Sequence, residues 1–566
     1  MTRTNKKWEI SPRISPKADQ ALHGYPPILR QILYNRGYAT HEQARRFLQA
    51  ETDFDTDPFQ LKGMEAAVER VAQAIEEDEK IAIYGDYDVD GVSATALLLT
   101  FFKGSLGANI IAYIPNRFEE GYGLNQDAIK ELKEHDVDLI ITVDCGIRAN
   151  KEVELANQLG LDLIITDHHH PGPELPAAAA VIDPKQPGDL YPEKDLAGVG
   201  VAYKLASAIA KHFERADEIK SYLDLVALGT VADIVPLVGE NRVLVRTGLE
   251  QMRQPNRQGL LSLIGVAGLK PKKVTATDIG FGLGPRLNAA GRLDSALRAL
   301  ELLTTQDVFK AGKLAQELEN QNRKRQSITR AIQAQAEEKI QADDPDSLLL
   351  FAADPDFNAG VVGLAASRLA DQYYRPAIVG HCGVDFTQAS CRSIKEFHIT
   401  EALDRCADLL ESHGGHAAAA GFTVRNENIP PLVERLNAIA EEELGDKDLR
   451  PTLAADMEIP LAELKAEVLE YLDWLQPTGY GNQQATFVSR NLEVKHSRAV
   501  GKDSAHLKLT LTDGRLTFDA IAFRQGDWQG QLPPRVDVLY HFELNEYRGR
   551  KSLQLNVKDI KASKGT

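Results

Sequence analysis

Three aspartates at alternate positions, Asp86, Asp88 and Asp90, stand where one apolar run ends and another begins. Residues 80–84 read as a strand and residues 94–102 as an apolar helix. A strand that stops in carboxylates makes a poor core and a good seat for a divalent cation. Ligands of open α/β sheets collect beyond the carboxyl ends of the strands, so the other strands are the test. Residues 137–143 form a near-continuous apolar run, as a strand buried on both faces requires, and end in Asp144-Cys145-Gly146. Residues 162–166 end in Asp167-His168-His169-His170, and residues 225–231 lead into Asp233. Carboxylates with imidazole suit Mn, Mg, Zn or Fe rather than a soft metal. A single aspartate at a strand end is equally well a helix N-cap. For all these segments together, capping leaves a dense negative charge unbalanced unless cations fill it.

At 566 residues the chain exceeds one hydrophobic core, so two to four domains are expected. The four cysteines, Cys145, Cys382, Cys391 and Cys406, are scattered and form no CxxC pair. That pattern excludes a disulfide framework and a cysteine-type zinc site, and it fits a reducing, cytoplasmic setting. Residues 1–10 carry no apolar core of a secretion signal. No apolar run approaches the ~20 residues that span a bilayer, so no membrane contact is expected. The net charge of −17 argues against non-specific adhesion to nucleic acid, yet it leaves room for a locally basic groove.

Residues 1–60 hold two short amphipathic helices, near 27–38 and 41–49, and read as a cap on the domain that follows. Residues 61–303 alternate strands and helices in the βαβ manner, which implies a parallel sheet. Its strands are expected at 80–84, 109–114, 137–143, 163–166 and 179–182. Two glycine-punctuated loops interrupt it, at 115–123 and 280–292. The second, GxGxGP, is not a dinucleotide fingerprint, because Pro285 removes an amide that a pyrophosphate would want. No GxxxxGK[ST] occurs, so a nucleotide-driven motor is not indicated. Residues 304–342 read as one long polar helix, a connector with Arg323 and Arg325 toward a shared cleft. Residues 343–446 read as a second, smaller α/β domain. It holds Ser390-Cys391-Arg392 and a His413-Gly414-Gly415-His416 run, where glycine lets backbone approach a ligand. On its own, that run is better explained as a tight strand–helix junction. Residues 447–566 become all-β, with turns at Asp513-Gly514 and Arg548-Gly549, and suggest a small OB-type barrel. Such barrels stack single-stranded bases on aromatics beside basic groups. Phe523, Trp528, Tyr547, Arg548 and Arg550 are the candidates, while Phe518 reads as core.

These residues resemble a known family. Asp86 to Asp90, Val143-Asp144-Cys145-Gly146, Asp167-His168-His169 and Gly229 to Asp233 look like the four signature motifs of the DHH phosphoesterases. Gly414-Gly415-His416 is similar to the DHH-associated domain. Pro115-Asn116-Arg117, the 285–292 run and the terminal barrel resemble the family's single-strand-specific 5′→3′ exonucleases. The resemblance implies an α/β architecture: a parallel-sheet catalytic domain, a connecting helix, a second α/β domain and an OB-like β-barrel. It implies two Mn²⁺ or Mg²⁺ ions on Asp86, Asp88, Asp90, Asp144, His168 and Asp233, with Asp144 bridging. Three aspartates there compete for two positions. His169 would face the substrate phosphate and Asp167 would orient the imidazoles. A 5′-phosphate pocket is expected from Arg117, Arg286, Ser390 and Arg392, with Asn288 and His416 also at the substrate. The expected activity is two-metal hydrolysis of single-stranded DNA from its 5′ end to mononucleotides, in repair and recombination. A monomer is implied, with a helicase or single-strand-binding protein as further partner. The rivals are a family phosphodiesterase or phosphatase on short oligonucleotides and a non-catalytic replication scaffold.

Overall fold

The three central strands of the five-stranded parallel sheet in the first domain are buried almost throughout, and this burial explains why their sequence reads as unbroken apolar runs. The computed structural model describes all residues except 1–5, 53–55, 117–119, 122, 294, 548 and 564–566, and Tyr547 by its backbone only. The strand order is Ile110–Tyr113, Ile81–Gly85, Leu139–Val143, Asp162–Thr166, Ala180–Ile182. The chain starts in the second of these strands, steps to one side, then crosses to the other. The topological switch therefore falls between Ile81–Gly85 and Leu139–Val143, where such sheets open a crevice.

The connecting helix, Val308–Asp343, leads to a second five-stranded sheet ordered Leu410–His416, Ala419–Arg425, Phe386–Arg392, Ala377–Cys382, Leu350–Asp354. The C-terminal strands close into a barrel, because Phe487–Val500 pairs both His506–Thr512 and Arg535–Tyr547. Among the described residues, no helix is long and apolar enough to cross a membrane.

Several expectations change. The helices of residues 1–60 bury their apolar faces on the C-terminal barrel, and among the described residues only the segment from Phe47 onward touches the domain that follows. Ile28, Leu29, Ile32, Leu33 and Phe47 share one core with barrel residues such as Phe487, Leu509 and Val538. The Lys7–Ile10 strand also pairs in parallel with Thr452–Ala455. The 280–292 segment is not a loop. Ile279–Leu283 forms a π-turn that runs into the α-helix Gly284–Leu293, and a Cβ on Gly291 would lie 2.8 Å from Tyr87 O. Its glycines serve close packing rather than turning. The Gly-Gly-His run is not a strand–helix junction but the edge strand Leu410–His416 of a hairpin with Ala419–Arg425. Residues 225–231 lie in the helix Leu223–Ala232.

One side chain joins the first and last parts of the chain. Arg242, on the helix Gly239–Met252, is 1% exposed and lies over the Phe47 ring, 4.1 Å from its centroid. It donates to Phe47 O, Leu475 O, Pro477 O, Trp474 O and Gln476 O at 2.9–3.2 Å. Burial and the nearby Arg246 hold its pKa down at about 10. Arg242→Ala should cost ~3–5 kcal/mol in urea unfolding, since buried carbonyls lose their donors. A loss below ~1 kcal/mol would show the cage to be incidental.

Candidate metal centre and substrate cleft

Each acidic group reaches the rim of the first sheet by its own local device. Asp88 caps the helix Val89–Ser105, with Oδ1 accepting Asp90 N at 2.8 Å and Gly91 N at 3.2 Å. Asp90 lies inside that helix, and its carboxylate accepts Gly198 N at 2.7 Å and Val199 N at 2.9 Å. Those amides open the helix Gly198–His212, a favourable end for an anion. Asp144 follows its strand with φ +62°, a left-handed turn that aims its carboxylate into the crevice. A Cβ on Gly198 would stand 2.7 Å from Asp144 Cβ, and one on Gly229 2.7 Å from Asp90 Oδ1, so neither position admits a side chain. Asp233 ends the Leu223–Ala232 helix.

The groups converge. His168 Nε2 lies 3.1 Å from Asp144 Oδ1, 3.6 Å from Asp233 Oδ2 and 3.9 Å from Asp90 Oδ2. Ligand atoms of Asp90, His168 and Asp233 lie within 4.8 Å of one another, as do those of Asp86, Asp88 and Asp144. A third group, Asp144, His168 and His169, shares Asp144 with one of these and His168 with the other, so the three form one continuous set. Asp144 Oδ1 and His168 Nε2 are buried, but their alignment gives neither a hydrogen-bond partner. Burial together with Asp233 and Asp88 raises Asp90 well above the carboxylate range, and burial together with Asp90, Asp88 and Asp86 does the same to Asp144. Burial and the Asp88 charge push Asp233 up to about 7, and burial pushes His168 down to about 3. His169 moves the other way: its Nδ1 lies 2.7 Å from Asp167 Oδ1, and this pair outweighs burial and raises its pKa. Asp167 stays low for the reciprocal reason, with Ile147 N donating at 2.9 Å.

The second domain forms the opposite wall. The pairing register sets His416, Ala419 and Arg392 in one row across three strands, with Gly414, Gly421 and Ser390 in the next row of the same face. A Cβ on Gly363 would lie 3.3 Å from Ser390 Oγ and 3.4 Å from an Arg392 Nη, so both sit at the start of the helix Val362–Tyr373. Arg292 crosses from the first domain to donate to Gly360 O at 3.4 Å. A cavity of about 600 Å³ beside the metal ligands is lined by Arg148, His168, His169, His170, Lys185 and, from the second domain, His416.

Other expected substrate residues are placed differently. Asn288 does not face the cleft with its carbonyl; Oδ1 accepts Val89 N at 3.1 Å and braces the aspartate loop. Arg286 is engaged by Glu319 at 2.7 Å on the connecting helix and donates to Gly282 O. Arg323 shares Glu319, while Arg325 donates to Asn322. Arg117, Arg548 and the Tyr547 side chain lie outside the described residues. Trp528 packs partly against the barrel core rather than standing clear of it, whereas Phe523 is 52% exposed and Arg550 is exposed. Lys185, Arg148 and Arg292 were not singled out from sequence. Lys185 ends the last strand run, in Asp183-Pro184-Lys185, where the rule applied to the other strands would have found it.

Comparison with known proteins settles the family. Residues 80–230 match the DHH family N-terminal domain, 346–442 the DHHA1 domain and 455–559 the RecJ OB domain. The chain is 40% identical over 572 residues to the single-stranded-DNA-specific exonuclease RecJ of Bacillus subtilis, covering 100% of this chain and 72% of that one. It is 35% identical over 560 residues to the Escherichia coli protein of the same name, covering 94% and 96%. It belongs to the RecJ family. The RecJ crystal structure from Thermus thermophilus with Mn²⁺ superposes with a TM-score of 0.84 at 29% identity, over 99% of this chain and 80% of that one. The same relative with Mg²⁺ gives 0.79 at 28%, over 99% and 79%. Mn²⁺ or Mg²⁺ fits the donors here: carboxylates and imidazole, with two inward-facing atoms lacking a hydrogen bond.

The raised carboxylates make this RecJ-type centre pH-sensitive in a defined direction. Asp233, held near 7 when folded against 3.8 as its ordinary value, takes up its proton more readily in the folded state. Its stabilising contribution is full below the ordinary value and is lost as pH rises through about 7. Chelator-treated protein should therefore gain thermal stability on acidification from about pH 8 to about pH 5, while Mn²⁺ affinity falls over the same interval. Calorimetry of both forms across that range checks this. A metal-free melting point that rises with pH there would contradict the assignment.

Proposed function

We propose that this chain removes mononucleotides from the 5′ end of single-stranded DNA, in the 5′→3′ direction. The observation that carries the reading is the set of three overlapping three-residue groups beside a cavity that His416 of the second domain also lines. Asp86, Asp88 and Asp144 would hold one divalent ion, and Asp90, His168 and Asp233 the other. Two ions so placed would neutralise the scissile phosphate and lower the pKa of attacking water. The side chains divide the remaining work. His169, its pKa raised by the bond to Asp167, would donate to a phosphate oxygen as negative charge develops. Ser390 and Arg392, at a helix N-terminus, seat the terminal 5′-phosphate; a guanidinium fork suits its paired oxygens. His416 reaches the same nucleotide from the same sheet face. The OB barrel holds the remainder of the strand, with Phe523 and Arg550 on its open surface. A monomer suffices for this site, and a helicase that unwinds duplex, or a single-strand-binding protein, is the partner chemistry such a substrate calls for.

Two substitutions test the division. Asp144→Ala should abolish hydrolysis in Mn²⁺ while the melting profile of the fold persists; measurable turnover would remove the two-ion reading. Arg392→Ala should raise KM for 5′-phosphorylated strands about 10- to 100-fold, the worth of a charge-assisted contact of ~1.5–3 kcal/mol. Strands with a 5′-hydroxyl should be little affected, and equal losses on both would place the terminal phosphate elsewhere.

A further inference from the structure

A cavity of about 980 Å³ opens in the first domain at the far ends of the two helices that lead to the metal-centre aspartates. The helix Val89–Ser105 begins at Asp88 and Asp90, and its last turns bring Thr100, Lys103 and Gly104 to the cavity wall. The helix Leu223–Ala232 starts beside Tyr222 and Asp224, which also line the wall, and ends at Asp233. At ~1.5 Å of rise per residue, the cavity lies roughly 15–25 Å from those aspartates. Thr304 and Gln306 form a further wall, in the joint between the helix Leu297–Thr304 and the connecting helix. The volume is that of a small-molecule site, and no lining residue is shared with the cavity beside the metal ligands.

Two kinds of group face this space. Arg257 is a mounted guanidinium. Its Nε donates to the Asp224 carboxylate at 2.9 and 3.1 Å, and its Cζ lies 5.0 Å from the Tyr222 ring centroid. The pair is nearly buried, with side chains 11% and 7% exposed. Desolvation offsets most of the attraction in such a pair, but the pair fixes the direction of the fork. The two terminal nitrogens of Arg257 and the Lys103 ammonium have no hydrogen-bond partner among the described residues. A fixed fork with free terminal nitrogens suits the paired oxygens of a phosphate. The second kind is a set of hydroxyls whose hydrogens are already engaged. Thr100 donates to Ala96 O, Ser221 to Glu218 O, Thr247 to Val243 O and Thr304 to Leu300 O, at 2.5–3.0 Å. Their remaining lone pairs, and the Glu250 carboxylate, accept hydrogen bonds. The cavity thus calls for a phosphate joined to several O–H or N–H donors. Inorganic phosphate meets only the first demand, and a bare sugar only the second.

We propose that this cavity is an effector site for a sugar phosphate, free or as part of a nucleotide, and that its occupancy changes the affinity of the metal centre for divalent ions. A ligand held between the two helices and the joint restrains the mounts of Asp88, Asp90 and Asp233 together. The two sites are then linked, and each changes the other's affinity by the same factor.

Calorimetry of the full-length protein with ribose 5-phosphate, adenosine monophosphate, ribose and inorganic phosphate tests the site. One or both of the first two should bind about tenfold or more tightly than the last two. Binding of the nucleotide alone assigns a nucleotide, and equal affinities assign the sugar phosphate itself. Gly104→Phe fills the cavity from an exposed helical position where a Cβ meets nothing within 4 Å, so fold and nuclease activity should persist while binding is lost. Lys103→Gln should weaken binding about tenfold. Saturating ligand should shift the Mn²⁺ affinity of the wild type about fivefold or more, and Gly104→Phe should remove the shift. Absence of binding, binding untouched by Gly104→Phe, or equally tight binding of inorganic phosphate overturns the site. An unshifted Mn²⁺ affinity in the wild type overturns the effector role.

Discussion

Burial of carboxylates, with their mutual repulsion added to it, is the constraint around which the metal site is organised. Asp86, Asp88, Asp90, Asp144 and Asp233 gather beside one imidazole in a poorly solvated crevice, and every shift resolved among these aspartates is upward. Much of the surrounding chain holds that unfavourable arrangement in place. Two helix amides grip Asp90, a left-handed turn aims Asp144, glycines clear the space around both, and Asn288 braces the loop between Asp88 and Asp90. Divalent charge relieves the repulsion, so affinity for metal and strain in the metal-free protein have the same source.

The catalytic sheet was legible in the sequence because burial on both faces leaves a simple mark, an apolar run that stops in charge. Asp144 and Asp167 could be read from that mark alone. Asp233 was less legible, since a helix buried all round and a buried strand give the same apolar run over residues 223–232. The 280–292 helix was hidden by its glycines and proline, which mark turns in most settings but here permit contact with Tyr87 and Ala232. The Leu410–His416 strand was hidden in the same way. For the first helices the sequence showed an apolar face in need of a partner, and nothing local could say that the partner lay more than four hundred residues away.

Electrostatics divides the two histidines of the central motif as sharply as it divides the acids. His168 is pushed toward neutrality by burial, the state in which imidazole binds metal, while the bond to Asp167 raises the pKa of its neighbour His169. Adjacent residues of one type thus shift in opposite directions, one lowered chiefly by burial and the other raised by the carboxylate bonded to it. Facing them, the antiparallel register of the second domain brings Ser390, Arg392 and His416 to one surface although their two strands are separated in the sheet by a third. On the function proposed above, metal-holding and end-recognising groups would therefore belong to separate lobes.

The carbonyl cage around Arg242 bears on how the molecule is made in the cell. Its donors lie in the catalytic domain, and its acceptors lie at Phe47 and at residues 474–477. During translation the first acceptor emerges early, the guanidinium midway and the other acceptors late. A ribosome-bound chain ending before those last carbonyls lacks four of the five acceptors, so the cage closes only after synthesis has run past residue 477.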